Sequence, residues 1–442
     1  MKNKTTSGTL ATTITGTSHD GRGIAVLADG KTTFISGALQ GEVVAFKLTK
    51  KHSRYNEGET TEVINPSRVR TLPACEHFGV CGGCSMQHMT MDSQIHVKQK
   101  ILIDQLKHFG RVEAEEILAP ISGNPFGYRR KARLGLRYVK KKNRVLIGFR
   151  EKATGILADI NSCPILHPRV GQHFAALATM VQSLSLFDQI PQLEIAVGDN
   201  HAALIFRNMS DMPAEDKQKL ATFGAEHQLH IYLQPNLPKP IEKLWPLDNT
   251  EKLHYLLPEY QLEIQFHPLD FTQVNGEINP KLIQQAMILL DPQPDEAVLD
   301  LFCGLGNFTL PIARFAKAVV GIEGSHEMVK RAQENAVHND IHNTEFFAAN
   351  LADIQPARPN WMRRQYDKIL LDPSRNGAKE IMATFPVFNA RRIVYVSCNP
   401  ATLARDAGEL VHNQGYTLKK VGIINMFPQT SHIEAIALFE KL

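Results

Sequence analysis

The stretch AVLDLFCGLGNFTLPIA, residues 297–313, limits the possible folds of this chain more than any other. It begins as an apolar run, passes through a loop with Gly304 and Gly306, and resumes at Phe308 with residues that suit a helix, which predicts strand, tight turn and helix. Because glycine has no Cβ, the backbone of such a turn can come close to a ligand. Ligands of open α/β sheets bind beyond the carboxyl ends of the strands, so the loop 303–307 is a candidate cofactor-binding loop. An ordinary turn is the alternative, since the phosphate-loop lysine and the full G-x-G-x-x-G spacing are missing.

Length and composition indicate a globular protein with several domains. The 442 residues suffice for roughly two to four domains, and 43% hydrophobic with 21% charged residues is an ordinary globular composition. No window approaches the ~18 apolar residues of a membrane span, and the polar start MKNKTTSGTL lacks the apolar core of a signal peptide. We therefore expect a cytoplasmic protein without a membrane partner. The net charge of +4 does not by itself indicate nucleic acid, so the placement of the charges has to decide.

The N-terminal region alternates short β-forming runs with turn signals. The runs lie at residues 9–14, 23–27, 32–35, 42–48 and 60–64. This spacing predicts a small OB-like β-barrel, and such barrels often bind oligonucleotides. One loop concentrates basic side chains, namely Lys47, Lys50, Lys51, His52 and Arg54. The loop is a candidate nucleic-acid contact, and a solvated loop on a structural barrel is the alternative.

Four cysteines have the spacing of a metal site. Cys75, Cys81 and Cys84 lie in CEHFGVCGGC, and Cys163 follows far downstream in NSCP. Disulfides are uncommon in cytosolic proteins, whereas three clustered thiolates can surround a metal centre that a fourth completes. Iron–sulfur clusters and tetrahedral zinc both take four cysteines, so the spacing leaves the metal open. The alternative is that these cysteines are buried in the protein and bind no metal.

A basic segment follows a helix predicted over residues 92–109. Residues 122–152 contain eleven Lys or Arg and a single acid, Glu151. The aromatic residues among them are Phe126, Tyr128, Tyr138 and Phe149. Basic and apolar residues partly alternate, which predicts a hairpin with one basic face for phosphates and aromatic rings for unpaired bases. A solvated basic hairpin is the alternative, and residues 170–265 indicate further α/β structure without evident chemistry.

In the C-terminal part, predicted strands end in the glycine loop, Glu323, Asp372 and Cys398. In a doubly wound sheet these ends lie along one crevice. Glu323 suits hydrogen bonds to a ribose. Cys398 precedes Asn-Pro and a helix, which predicts an exposed thiol near a helix N-terminus where the thiolate is favoured, with an ordinary core cysteine as the alternative.

Five ordered motifs, FTQVN, LDLFCGLGNF, LDPSR, SCNP and a terminal HIE, resemble those of the S-adenosylmethionine-dependent RNA uracil-C5 methyltransferases. The N-terminal barrel resembles a TRAM domain, and the four cysteines resemble those of the family branch that carries a [4Fe-4S] cluster and methylates 23S ribosomal RNA. Ser374 stands where many members have proline, and we expect no chemical consequence. The resemblance implies a multidomain α/β protein with a TRAM-like barrel (1–68), a central domain with the cluster and basic hairpin (69–270) and a Rossmann-like methyltransferase domain (271–442).

The resemblance also implies roles for individual residues. Cys398 would add to C6 of uracil and Glu434 would remove the C5 proton, with His432 a candidate for orienting Glu434 or the substrate. The implied contacts of S-adenosylmethionine are Gln273, Phe302, Asn307, Glu323, Asn350 and Asp372. The implied cluster ligands are Cys75, Cys81, Cys84 and Cys163. We expect 23S ribosomal RNA as partner and a monomer that needs no protein partner.

Three other functions stay open from the sequence. Asp372-Pro373 is similar to the acidic-proline loops of methyltransferases that modify amino groups of adenine or cytosine, although those loops continue with proline and an aromatic residue and need no thiol. The second is a non-enzymatic RNA-binding metalloprotein with the α/β domain as scaffold. The third is uracil-C5 methylation of another RNA, a transfer RNA or a different 23S site.

Overall fold

The computed structural model describes residues 9–152, 154–235, 240–248, 251–353 and 359–441. Contacts group the chain into two compact units. One comprises the chain up to Ile101 with Arg150–Ile156 and Phe427–His432, and the other comprises Leu102–Phe149, Leu157–Met426 and Ile433–Leu442. The predicted division at residues 68 and 270 stays a prediction. Among the described residues, no helix has the length and hydropathy that crossing a bilayer requires.

The N-terminal strands form one six-stranded sheet in the order β1-β5-β6-β4-β3-β2. Their bounds are β1 (Leu10–Thr13), β2 (Gly16–Thr17), β3 (Gly23–Val26), β4 (Thr32–Ser36), β5 (Val43–Lys51) and β6 (Tyr55–Asn65). Apolar residues in and next to these strands form a core that includes Ile14, Ile35 and Phe46. Gly58 lies against this core, where a Cβ would come within 2.8 Å of the Phe46 ring. The five predicted strands are confirmed, and β2 was too short to predict.

The cysteine segment between β6 and the first helix has little regular structure. Its backbone is held by Arg150–Ile156: the Gly82 N–H donates to the Arg150 carbonyl at 2.9 Å. A Cβ at Gly82 would lie 2.8 Å from that oxygen, so this position requires glycine. Helix α1 (Met91–Gln105) follows and continues as a π-helical turn, Leu106–Gly110, so the predicted helix over 92–109 is confirmed.

The central region contains a mixed six-stranded sheet in the order β13-β12-β11-β10-β8-β9 and a separate hairpin of β14 and β15. The strands are β7 (Glu116–Ile117), β8 (Lys131–Val139), β9 (Arg144–Gly148), β10 (Gln192–Val197), β11 (Ala202–Arg207), β12 (Leu229–Gln234), β13 (Glu242–Trp245), β14 (Leu253–Leu257) and β15 (Leu262–Phe266). The helices are α2 (Pro168–Gly171), α3 (Phe174–Gln182) and α4 (Ala214–His227). The predicted basic hairpin is β8 paired with β9. Strand β7 joins the C-terminal sheet instead, beside β21.

The C-terminal sheet has eight strands in the order β18-β17-β16-β19-β20-β22-β21-β7. Its strands are β16 (Ala297–Leu301), β17 (Ala318–Glu323), β18 (Thr344–Ala348), β19 (Lys368–Leu371), β20 (Arg392–Ser397), β21 (Thr417–Ile424) and β22 (Glu434–Glu440). The helices are α5 (Ile278–Leu290), α6 (Thr309–Ala313), α7 (His326–His338), α8 (Lys379–Met382), α9 (Phe385–Phe388) and α10 (Pro400–Gln414). Strands β16 to β20 are parallel, so their carboxyl ends share one edge of the sheet. The predicted antiparallel C-terminal pair is β21 with β22.

Candidate active site

The register of two antiparallel strands brings Cys398 and Glu434 together. Ser397, the last residue of β20, pairs with Ala435 of β22, so the next residues, Cys398 and Glu434, face each other at the strand ends. Glu434 is 7% exposed although it begins the strand. Cys398 is half-buried and not sealed in the core. A thiol and a carboxylate thus lie side by side at the edge of the sheet where ligands of α/β proteins bind.

The expected thiolate at Cys398 is not what the structure favours. Burial, together with the charges of Glu434 and Asp372, raises the pKa of the Cys398 thiol to about 11, and the charge of Arg375 opposes them. The first turn of α10 is capped by the side chain of Asn399, which accepts from the Ala401 N–H at 3.1 Å. The prediction was wrong because it considered the helix terminus and not the burial of the thiol or the two carboxylates from distant segments. The resting thiol is protonated at neutral pH.

Asp372 follows β19 and meets Gln273 of the FTQVN motif. The Gln273 Nε2 donates to the Asp372 Oδ2 at 3.2 Å. Burial raises the pKa of the Asp372 carboxyl to about 7. The structure therefore brings together two residues predicted to contact a cofactor, and Asp372 can exchange a proton near neutral pH.

The loop after Asp372 is fastened to the start of α10. The Arg375 carbonyl accepts from Asn399 Nδ2 at 3.0 Å, and the Ala378 N–H donates to Asp406 Oδ2 at 2.8 Å. Gly377 has φ +78°, and a Cβ there would lie 2.6 Å from the Asp406 carboxylate. These contacts fix the backbone of Arg375, whose side chain is exposed. Its positive charge lowers the pKa of Cys398 and so offsets part of the effect of Glu434 and Asp372.

The glycine loop after β16 is built around the end of β17. Phe302, a non-glycine residue, has φ +67°, and its N–H donates to the Ile322 carbonyl at 2.8 Å. The Glu323 carboxylate accepts from the Gly304 N–H at 3.2 Å and from the Ser325 N–H at 3.0 Å. A left-handed phenylalanine is a strained conformation of the kind that concentrates at functional sites. Phe302 and Glu323 therefore lie together, as predicted for a cofactor site.

The last two predicted cofactor residues differ in setting. Asn350 is exposed after β18, where its Oδ1 accepts from the Ala352 N–H at 3.1 Å, and β18 pairs with β17 up to Glu323. Asn307 is half-buried, and its side chain is hydrogen-bonded to Tyr255 and Asn279. Neither Tyr255 nor Asn279 was among the predicted site residues.

Asp300 of β16 was also not among the predicted site residues. It is fully buried, Oδ2 accepts from the Thr309 hydroxyl, and Oδ1 has no hydrogen-bond partner among the described residues. Burial raises its pKa to about 7, the Thr309 bond lowers it, and the neighbouring charges of Asp372 and Glu323 raise it. The sequence contains a signal for this residue, because an acidic residue inside an apolar strand is uncommon unless it has a partner.

The basic hairpin presents arginines on one face. Arg133 and Arg137 are exposed on β8, whereas the alternating residue Leu134 is buried, as the predicted pattern requires. Tyr128 is only 5% exposed, so it packs in the core and cannot stack on a base as proposed from the sequence. Tyr138 packs edge-to-face on Phe187 at 4.9 Å.

The predicted metal ligands do not form a ready site. Cys75, Cys81 and Cys84 are partly exposed, and Cys163 is buried. Within the described ranges, no group of three or more His, Cys, Asp or Glu side chains is arranged to hold a metal ion. The Gly83 N–H donates to the Cys81 sulfur at 3.4 Å. His432 is exposed with its ring 5.4 Å from that of Phe427, and its suggested orienting role stays a prediction.

Comparisons with known proteins identify the family. The model of the tRNA (Uracil-5-)-methyltransferase family matches residues 251–442, and that of the TRAM domain matches residues 8–61. A relative from Hahella chejuensis named 23S rRNA (uracil(1939)-C(5))-methyltransferase RlmD is 50% identical over 96% of this chain and 95% of its own length. A relative of the same name from Francisella tularensis subsp. novicida is 48% identical over 100% of this chain and 98% of its own.

A solved structure shares the fold. The crystal structure of Pyrococcus abyssi tRNA (uracil-54, C5)-methyltransferase in complex with S-adenosyl-L-homocysteine has a TM-score of 0.74, with 22% identity, over 97% of this chain and 100% of that one. The two relatives named above are each about half identical to this chain over nearly its whole length. This protein therefore belongs to the S-adenosylmethionine-dependent RNA uracil-C5 methyltransferase family, in the branch of the 23S rRNA enzymes.

Proposed function

We propose that this protein methylates C5 of a uridine in 23S ribosomal RNA, the target that its relatives' names give as uracil 1939. The observation that carries the proposal is the pairing of Cys398 with Glu434 at the carboxyl edge of the sheet, beside Asp372. Methylation of an amino group needs no thiol, so this pair favours a carbon target.

The glycine loop fits the methyl donor. Gly304 has φ +54°, and a Cβ there would have only the Met328 Cε nearby, at 3.8 Å, so the space beside the backbone is open. The Asp300 Oδ1, which no described group satisfies, can accept a hydrogen bond from an ammonium group. We assign Gln273, Phe302, Asn307, Glu323, Asn350 and Asp372 to this site. When bound, S-adenosylmethionine supplies an electrophilic methyl group.

Cys398 supplies the covalent step. Its sulfur adds to C6 of the uracil while the thiol proton passes to a neighbouring carboxylate, and Asp372 with its pKa of about 7 suits this transfer. The added electron pair makes C5 nucleophilic, so that C5 would take the methyl group of bound S-adenosylmethionine while the methyl–sulfur bond breaks and S-adenosylhomocysteine leaves. Glu434 then takes the C5 proton, the C5–C6 double bond forms again, and the C6–S bond breaks to release Cys398.

The test is transfer of a labelled methyl group from S-adenosylmethionine to unmodified 23S rRNA, with unmodified tRNA in parallel. We expect the label in 5-methyluridine from the 23S RNA and none in tRNA. Label in an adenine or cytosine amino group would contradict the proposed chemistry. Labelled tRNA alone would contradict the proposed substrate, and absence of both transfer and S-adenosylhomocysteine binding would favour the non-enzymatic alternative.

Exposed basic side chains support the RNA partner. Arg133 and Arg137 project from β8, and on the TRAM domain Lys47, Lys50 and Lys51 are exposed on strand β5 rather than in the loop predicted from the sequence. Cationic side chains of this kind neutralise phosphates and supply affinity without base specificity. The flipped uridine itself must leave any stack to reach Cys398, so an unpaired loop is the substrate we propose.

We also propose that Cys75, Cys81, Cys84 and Cys163 bind a [4Fe-4S] cluster. The support is the four-cysteine pattern and its resemblance to the rRNA branch. The geometry adds no support, since the described residues form no group arranged to hold a metal ion. We derive no catalytic step from the cluster. Protein purified without oxygen should be brown and contain about four iron and four sulfide per chain. Colourless protein with one zinc per chain would refute the cluster.

A further inference from the structure

We infer that Tyr255 and Asn279 fix the amide of Asn307 so that it can only donate a hydrogen bond to the cofactor, and that its acceptor is the carboxylate of the amino-acid end of S-adenosylmethionine. This inference rests on the proposed function. It assigns positioning roles to two residues outside the glycine loop, one on the hairpin strand β14 and one in the first turn of α5.

The hydrogen bonds that Asn307 makes with described residues leave one N–H of its amide unused. Its Oδ1 accepts from the Tyr255 hydroxyl at 2.8 Å and from the Asn279 Nδ2 at 3.0 Å, and its Nδ2 donates to the Asn279 Oδ1 at 3.0 Å. A carboxamide has two acceptor lone pairs and two N–H donors. Both lone pairs and one donor are therefore engaged, and, within the part of the chain that the structure describes, a single N–H remains for a ligand.

The two partners hold this orientation firmly. Asn279 is 4% exposed, so the Asn279 side of its reciprocal pair with half-buried Asn307 is shielded from water. Burial raises the pKa of the Tyr255 phenol well above its usual range, so the hydroxyl keeps its proton and remains a donor. Rotating the amide of Asn307 by half a turn would place its NH₂ against the donor group of Asn279, and buried donors without acceptors are costly.

The position of Asn307 indicates which part of the cofactor it meets. Glu323, proposed for the ribose, binds the Gly304 end of the loop, whereas Asn307 is at the other end. A small cavity of about 30 Å³ is lined by Tyr255 and Asn279, the two partners of Asn307, and by Gln273, which is bonded to Asp372. Asn307 therefore lies toward the amino-acid end of the cofactor, whose strong acceptor is the carboxylate, and such charge-assisted hydrogen bonds are the strong ones.

Calorimetry with two ligands tests the inference. S-adenosylhomocysteine carries the carboxylate, and 5′-methylthioadenosine shares the adenosine and the sulfur but lacks the amino-acid end. We expect Tyr255→Phe to weaken S-adenosylhomocysteine binding about fivefold to tenfold and to leave methylthioadenosine within twofold of the unaltered protein. The matched control is Tyr260→Phe, a buried tyrosine beside the same hairpin that packs on Phe315, and it should change neither affinity.

A second variant keeps the inference falsifiable if Tyr255→Phe unfolds. Asn307→Asp replaces the donor with a negative charge, so it should weaken S-adenosylhomocysteine by at least a hundredfold and methylthioadenosine little. Equal losses for both ligands, or no loss, would mean that the network only supports the loop and would overturn the inference. Failure of the unaltered protein to bind S-adenosylhomocysteine would overturn the proposed function, and the inference with it.

Discussion

Replacing Cys398 with alanine should lower methyl transfer to 23S RNA by at least about a thousandfold, because the bond from the Cys398 sulfur to C6 is what makes C5 a nucleophile. The same change should remove the covalent complex with RNA that carries 5-fluorouridine. With fluorine at C5 there is no proton for the base to remove, so the adduct of the unaltered enzyme persists. Protein and RNA then migrate together as one band in a denaturing gel. The measurements are the initial rate of label transfer and the amount of that band.

The controls for Cys398→Ala separate chemistry from folding. S-adenosylhomocysteine affinity and the unfolding temperature should stay close to those of the unaltered protein, because Cys398 is half-buried and alanine leaves only a small space. Ser374→Ala, an exposed position in the adjoining loop, should retain full activity. A covalent band that survives in Cys398→Ala would show that another side chain is the nucleophile.

Local patterns in the sequence were sufficient to predict the strands that build the site. Each of the apolar runs before Phe302, Glu323, Asp372 and Cys398 is a strand, and four parallel strands need no further information to align their ends. The antiparallel C-terminal pair followed from the same kind of pattern. The register of β20 with β22 did not, since single-residue alignment depends on the packing of both faces.

Properties that depend on distant partners could not be predicted. The pKa of Cys398 is set by burial and by the carboxylates of Glu434 and Asp372, which are distant in the sequence. Considering the helix terminus alone therefore predicted a lowered pKa where the pKa is raised. The partners of Asn307 are 52 and 28 residues away in the sequence, and no spacing rule connects them. Tyr128 was assigned to the RNA surface by its basic neighbours, yet it is buried. Alternation along a strand cannot decide which residues at its margin the rest of the fold covers.

Changing Glu434 to glutamine should stop turnover and make the covalent complex accumulate on ordinary RNA. Glutamine cannot accept the C5 proton, so the C6–S bond of the methylated adduct cannot break, whereas the earlier steps do not require that proton transfer. We expect multiple-turnover methylation to fall by at least about a hundredfold, with close to one methyl group bound per enzyme. The measurement is a burst of labelled RNA that remains attached to protein after denaturation.

The same variant should make the Cys398 thiol more reactive. With a pKa of about 11, about one Cys398 in a thousand is a thiolate at pH 8, and each unit of decrease in pKa raises that fraction tenfold. Neutral glutamine removes a charge that raises this pKa, so iodoacetamide should label Cys398 faster in Glu434→Gln, and the labelling rate should level off at a lower pH. The control is Glu440→Gln at the other end of β22, where the carboxylate pairs with Arg392 at 2.6 Å. Slower labelling in Glu434→Gln would mean that the carboxylate takes up the thiol proton in the resting enzyme, and Asp372 would then lose its proposed part in the first step.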